Sequence, residues 1–364
     1  MQNPGYSFPL VDVFCIIVDY QYTDTMSIFS RPKIGIDLGT ANILVYVPGK
    51  GIVINEPSVV AVSTENKSVV AIGSEARDMI GKTPDSIVAF RPMRDGVIAD
   101  YRVTEAMLRF FIQKTLGPWN LFKPDVIVSV PAGITSAERR AVIEAGLRAG
   151  AGSVVPAKEP ILAAIGAGIP IYEPTGHMVV DIGGGTTDVA VISLGAIVTA
   201  KSVKCAGNKI DQAIVDYVKK THNLAIGERT AEKIKIKIGG AVRQSPENEL
   251  EILIKGRDYI SGLPRQIKMS TNEIVFAIDR ELSIMIQTIK DVMHDTKPEL
   301  ASDLIDNGII LTGGTSQLRY LTDLIQNKIG VRAYLSEDAL YCVAKGTGIA
   351  LEHIDVYKKA LLSK

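Results

Sequence analysis

Two short stretches of this chain combine residue types that could hold phosphate and a divalent cation. The first is Asp37-Leu38-Gly39-Thr40-Ala41-Asn42. The second, about 144 positions later (181 against 37), is Asp181-Ile182-Gly183-Gly184-Gly185-Thr186-Thr187-Asp188. Glycine lets backbone N–H groups approach phosphate oxygens with no Cβ in the way, and turn conformations aim several of them at one anion. Threonine hydroxyls add donors. Each stretch opens with an aspartate, whose carboxylate can hold Mg²⁺ through the waters that ion retains. Residues 183–185 alone would also fit a plain hairpin turn; paired with Asp37-Leu38-Gly39-Thr40 they point to a shared nucleotide site. No G-x-x-x-x-G-K-[ST] sequence occurs, so the site is not a P-loop. A third glycine cluster, Leu311-Thr312-Gly313-Gly314-Thr315-Ser316, follows an apolar run. Its backbone could lie against a base or ribose, or serve as an ordinary strand-to-helix turn.

The elements that must position these residues alternate between short β-branched runs and helical stretches, as in an α/β protein. Strands are expected at 34–37, 43–47, 58–62, 126–130, 178–181, 189–193 and 309–311. Helices are expected at 103–114, 136–149, 209–221, 231–238, 271–294 and 318–328, with a short small-residue helix at 161–168. Thr135-Ser136-Ala137-Glu138 has the capping-box spacing of a helix start. Both aspartate hairpins read as strand, Asp, Gly/Thr turn, strand. Two copies at domain-sized spacing predict two similar lobes facing each other across a cleft.

At 364 residues the chain is long enough for two lobes. Apolar residues at 46% and charged residues at 22% are ordinary for a globular core, and a mean hydropathy of +0.19 leaves room for self-association or membrane contact. Lys plus Arg equals Asp plus Glu at 40 each, so nothing in the balance favours nucleic acid. Cys15, Cys205 and Cys342 are odd in number and far apart, which excludes a disulfide framework or zinc site and fits a reducing compartment. The apolar run near Phe14 is interrupted by Asp12 and too short for a bilayer, and no Lys or Arg precedes Arg31. Translation is expected to begin at Met26, leaving residues 1–29 as an N-terminal extension that is disordered, or spurious before Met26.

Several longer motifs resemble the MreB family of bacterial actins. They are the Asp37 and Asp181 stretches, Pro131 through Glu138-Arg139-Arg140-Ala141, and Gly227-Glu228-Arg229-Thr230-Ala231-Glu232-Lys233. Arg91-Pro92-Met93-Arg94-Asp95-Gly96-Val97-Ile98-Ala99-Asp100 and Ala344-Lys345-Gly346 complete the set. The resemblance runs from about Lys33 to about Ile354. It implies an actin-like (ribonuclease H-like) duplicated two-lobe ATPase fold, with lobe I at 30–174 plus 341–364 and lobe II at 175–340. It also implies ATP and Mg²⁺ in the cleft, slow hydrolysis to ADP and phosphate coupled to polymerisation, and head-to-tail protofilaments in antiparallel pairs. Such filaments would lie on the inner face of the cytoplasmic membrane, with membrane lipid and cell-wall elongation membrane proteins as partners, and would set cell shape.

Residue roles carry over by position. Asp37 and Asp181 would hold Mg²⁺ through water. Thr40, Ala41 and Asn42 would line the phosphates on one side and Gly183, Gly184 and Gly185 on the other. Glu232, Lys233, Ile234 and Lys235 would reach ribose and adenine, with Gly313, Gly314, Thr315 and Ser316 closing over the base. Glu159 would orient the attacking water and Thr186 would position it, with Asp181 completing the catalytic set. From the residues alone, Glu159 could equally be a surface acid. Three positions depart from the family pattern: Lys158 replaces an acid and could shift the field on Glu159, Thr315 replaces a glycine, and Asn208 replaces an acid. Separately, Gly117-Pro118-Trp119-Asn120-Leu121-Phe122-Lys123-Pro124 reads as a loop whose Trp119, Leu121 and Phe122, with Lys114 and Lys123 nearby, suit a bilayer interface. The alternative is that Trp119 and Phe122 fold back to cap the lobe. Three other functions stay open on the residues: a small-metabolite kinase, a chaperone-type ATPase lobe pair, and a family member that binds nucleotide and polymerises without appreciable hydrolysis.

Overall fold

The computed structural model describes residues 31–117 and 122–362. In chain order the first half holds β1 (Lys33–Leu38), β2 (Asn42–Val47), β3 (Gly51–Pro57), β4 (Val60–Ser63), β5 (Val69–Ile72), α1 (Ser74–Met79), β6 (Ile87–Phe90), β7 (Met93–Arg94) and β8 (Val97–Ile98). It continues through α2 (Tyr101–Leu116), β9 (Asp125–Val130), α3 (Ser136–Arg148), β10 (Ser153–Lys158) and α4 (Glu159–Gly166). The second half opens with β11 (His177–Ile182), β12 (Thr187–Ser193), β13 (Ala196–Val203), α5 (Gly207–His222), β14 (Leu224–Ala225) and α6 (Glu228–Ile238). Then come β15 (Glu251–Asp258), β16 (Pro264–Ser270), α7 (Thr271–His294), α8 (Pro298–Asn307), β17 (Ile309–Thr312), α9 (Leu321–Ile329), β18 (Ala333–Leu335), α10 (Cys342–Glu352) and α11 (Ile354–Leu362).

The halves repeat one plan. In the first sheet the order is β10-β9-β1-β2-β3, and in the second β13-β12-β11-β17-β18. In each, the aspartate strand pairs antiparallel with its hairpin partner on one side and parallel with a later strand on the other. This is the duplication that the repeated hairpins predict. Every residue of β12 is buried, which is why it reads as an almost continuous apolar run rather than an alternating one.

Helix boundaries follow their caps. The Thr135–Glu138 capping box forms as expected and starts α3. α2 begins two residues earlier than apolar periodicity predicts, because Asp100 accepts from the Val103 N–H and caps it. α7 buries Ile274, Ile278, Leu282, Met285, Ile289 and Val292, a three-four spacing that lays one face on the second sheet. Its own capping box pairs Ser270 with Glu273.

α4 and α10 cross between the two sheets. Ile161, Leu162 and Ile165 of α4 and Val343, Ala350 and Leu351 of α10 share one core with Ile127 of the first sheet and Val179 and Ile192 of the second. Glycine makes the crossing possible. A Cβ on Gly346 would lie 1.9 Å from the Leu162 carbonyl oxygen, and one on Gly166 would lie 1.8 Å from that of Cys342. Arg31–Lys364 form a single compact unit. Among the described residues no helix is long and apolar enough to cross a membrane. The expected extension, residues 1–29, and the membrane-loop residues Trp119 and Leu121 lie outside the described residues; Phe122 is exposed.

Backbone-to-backbone crowding cannot be relieved by a rotamer change, so Gly346→Ala should cost at least about 3 kcal/mol. Gly227→Ala, with open space around it, should cost less than about 1 kcal/mol. Denaturant midpoints of the two variants check this; equal midpoints would contradict the crossing.

Candidate functional site

The two hairpins face each other in a cavity of about 440 Å³, within the size range of small-ligand sites. The tip of one touches the tip of the other. A Cβ on Gly184 would lie 2.6 Å from the Ala41 Cβ, and one on Gly185 would lie 2.5 Å from Thr40 Oγ1. Gly183 has only ordinary contact around it, its nearest neighbour being the Thr186 carbonyl oxygen at 3.6 Å. Glycines 184 and 185 therefore serve the approach of hairpin to hairpin as well as any anion. Thr40 Oγ1 accepts from the Gly96 N–H at 3.0 Å, which fixes its position and leaves its hydroxyl proton free to donate.

The β11–β12 turn is anchored from behind. The Gly183 N–H donates to the Thr186 carbonyl at 3.0 Å, closing the turn. The first amides of α5 donate outward to the turn, Gly207 N–H to Gly183 O at 3.2 Å and Asn208 N–H to Gly184 O at 2.8 Å. These bonds are why α5 starts at Gly207, two residues before the apolar period. Thr315 lies on the short 3₁₀ turn Gly314–Gln317, and its Oγ1 donates to the same Gly183 carbonyl at 2.7 Å.

Asp37 and Asp181 end the central strands β1 and β11. The Ser129 hydroxyl donates to Asp37 Oδ1 and the Thr312 hydroxyl to Asp181 Oδ1, both at 2.7 Å. Glu159 opens α4 at 8% exposure, and Asp188, fully buried, stands opposite Asp181 in the β11–β12 register and accepts from the Ala132 N–H at 2.9 Å. Desolvation pushes Asp37 up to about 6, against the Ser129 bond. It pushes Asp181 up to about 7, with the Thr312 bond opposing and Asp188 and Asp37 reinforcing. Glu159 is held well above the carboxylate range by burial, then by the charges of Asp188, Asp181 and Asp37. Asp188 is raised by burial too. Among the described residues no lysine or arginine shifts any of the four. Such a cluster fits a cation. Among the described residues no three His, Cys, Asp or Glu side chains are grouped as direct metal ligands. An ion that keeps its waters and takes phosphate oxygens, as Mg²⁺ does, needs fewer direct protein ligands than that.

On the far wall Glu232, Lys235 and Ile236 present one face of α6. Lys235 Nζ donates to Asp211 at 2.9 Å and to the Gly207 carbonyl at 3.2 Å. Burial pushes Asp211 up to about 6 even though Lys235 opposes it.

Most sequence-expected residues line this one cavity: Asp37, Thr40, Ala41, Asn42, Glu159, Asp181, residues 183–186, Glu232, Lys235, Gly313, Gly314 and Thr315. Three do not. Ile234 is fully buried in the core of the second half, Lys233 points to solvent, and Ser316 turns inward to donate to the Gly313 carbonyl. Residues 233 and 234 follow 232 on a helix and so leave its face, while 235 and 236 return to it. Lys158 also departs from expectation: it is half-buried, lowered by desolvation and by Arg139, and is not among the charges acting on Glu159. Ser129, Thr312, Asp188 and Asp211 went unread as site residues. Asp188 and Thr312 stand inside the glycine-rich stretches that the sequence marks, and Asp211 follows three residues after Asn208.

A family model described as MreB/Mbl protein matches residues 31–359. The cell shape-determining protein Mbl of Bacillus cereus is 49% identical over 334 residues, covering 92% of this chain and 99% of that protein. A crystal structure of MreB 5 of Spiroplasma citri bound to AMPPNP is 39% identical with a TM-score of 0.85, covering 91% of this chain and 98% of that one. The same Spiroplasma protein bound to ADP gives 0.84. MamK in a double helical filament, at 20% identity and a TM-score of 0.74 over 89% of this chain and 99% of that one, shares the fold. The fold is thus actin-like and duplicated.

Because burial raises Asp37 and Asp181 above the unfolded value of about 3.9, the native state binds more protons than the unfolded chain between pH 4 and about 7. Stability of the ligand-free protein should fall as pH rises through that window, by a few kcal/mol. Asp181→Asn should flatten the decline. Urea midpoints at pH 5.5 and 8 test this, and a midpoint that rises toward pH 8 would contradict it.

Proposed function

Since this chain belongs to the MreB/Mbl family, we propose that it binds ATP with Mg²⁺ in the hairpin cavity, hydrolyses it slowly and polymerises on the inner face of the cytoplasmic membrane. There it organises cell-wall synthesis and sets cell shape. The observation that carries this reading is the meeting of both glycine hairpins over Asp37, Asp181 and Glu159 in one cavity. The AMPPNP- and ADP-bound structures of the Spiroplasma relative and the MamK filament support it.

In this reading residues 30–174 with 341–364 form lobe I, and 175–340 form lobe II. Asp37 and Asp181 hold the metal through water. Bound Mg²⁺ supplies charge neutralisation at the phosphates and offsets the repulsion among the carboxylates. Thr40, Ala41 and Asn42 face residues 183–185 across the phosphates. Glu232 and Lys235 meet the ribose and base, with Gly313 and Gly314 over the base. The Thr186 hydroxyl can accept from the attacking water, and Glu159, when ionised, can only accept. A water donating to both directs its lone pair to the phosphorus, and positioning of this kind is most of what phosphoryl transfer requires. Assembly is head to tail in antiparallel pairs. Trp119, Leu121 and Phe122 bring the filament to lipid, and membrane proteins of cell-wall elongation bind it there.

Purified protein with Mg-ATP and lipid vesicles tests the whole reading by electron microscopy and phosphate release. Paired filaments on the vesicles are expected. Glu159→Ala should still form them but release phosphate about 100-fold more slowly, and Trp119→Ser/Phe122→Ser filaments should not pellet with lipid. Wild-type release from Glu159→Ala, or equal pelleting of the loop variant, would contradict the corresponding role.

A further inference from the structure

We propose that Thr315 is a positioning residue for phosphate binding, its hydroxyl holding the β11–β12 turn so that the Gly184 N–H faces the cavity. This deepens the nucleotide reading and rests on it. The argument begins with the peptide unit. In a planar trans peptide the carbonyl and the following N–H point in opposite directions. The Gly183 carbonyl is turned away toward two donors, Thr315 Oγ1 at 2.7 Å and the Gly207 N–H at 3.2 Å. The Gly184 N–H on the same peptide is thereby sent the other way. The next peptide is set likewise: Asn208 N–H holds the Gly184 carbonyl, which orients the Gly185 N–H.

Of the three anchoring donors only Thr315 is a side chain, and it makes the shortest bond. It is also the donor that an ordinary substitution can remove. A peptide between two glycines meets little steric resistance to rotation, so its orientation depends on such bonds. The space for the hydroxyl is built in. A Cβ on Gly207 would lie 2.6 Å from Thr315 Oγ1, so Thr315 occupies room that a larger residue at 207 would take. Thr315 is 8% exposed and β-branched, which leaves its hydroxyl few alternative directions. With glycine at 315, the Gly183 carbonyl would keep only the longer bond. The contact also joins the 3₁₀ turn Gly314–Gln317 to the β11–β12 turn.

Stopped-flow release of a fluorescent ATP analogue in Mg²⁺, with adenosine binding measured in parallel, tests this on wild type, Thr315→Ser, Thr315→Val and Thr315→Gly. Thr315→Val and Thr315→Gly should release the triphosphate about fivefold faster. Thr315→Ser should stay within about twofold of wild type, and adenosine affinity should hold across the series. Using two deleting variants guards against one that fails to fold. If wild type binds the analogue and both deleting variants release it at the wild-type rate, Thr315 has no positioning role. Equal weakening of adenosine and triphosphate would also overturn it, as a general structural effect. Wild type that binds no analogue at all would instead remove the nucleotide reading beneath it.

Discussion

Asp37, Glu159, Asp181 and Asp188 lie in one desolvated corner, and among the described residues no cationic side chain shifts them. A fold gains nothing from such a cluster unless something else supplies positive charge, because each ionisation opposes the next. The chain contributes only hydrogen bonds: Ser129 to Asp37, Thr312 to Asp181 and the Ala132 amide to Asp188. These fix the carboxylates in place without neutralising them. The neighbouring elements follow from that constraint. β1 and β11 deliver the two aspartates at their ends, α4 delivers Glu159 at its first residue, and the α4–α10 crossing holds both sheets to the same core.

Close approach is the second requirement. The hairpins come near enough to share a small ligand because Gly184 and Gly185 leave room for Ala41 and Thr40. The α5 N-terminus and Thr315 then hold the turn from behind by its carbonyls. The helix start thus acts on the cavity indirectly, through the peptide groups it orients.

These hairpins were legible because a strand, an aspartate and a glycine turn are contiguous, and their repetition announced the duplicated plan. The partners of the carboxylates were not. Ser129 and Thr312 lie 92 and 131 positions from the aspartates they bond, and nothing local marks a strand-end hydroxyl as a ligand of a distant acid. Asp188 was visible beside the Thr186 hydroxyl, but its role depends on a register opposite Asp181 that only strand pairing reveals. Lys233, Ile234 and Ser316 fail for a different reason. Neighbours in a motif are not neighbours in space on a helix, which returns to the same face only after three or four residues. Thr315 reads as an extra Cβ beside a base and proves to be a hydrogen-bond donor to the adjacent β11–β12 turn of its own sheet.

The central claim, that the carboxylate corner is built for a cation shared with phosphate, is tested most directly by crystallography with Mn²⁺ and a non-hydrolysable ATP analogue. Anomalous scattering should show one peak between Asp37 and Asp181, reached through water, with phosphate oxygens between the hairpins. Nucleotide bound there without the peak, or a peak at some other place, would contradict the account.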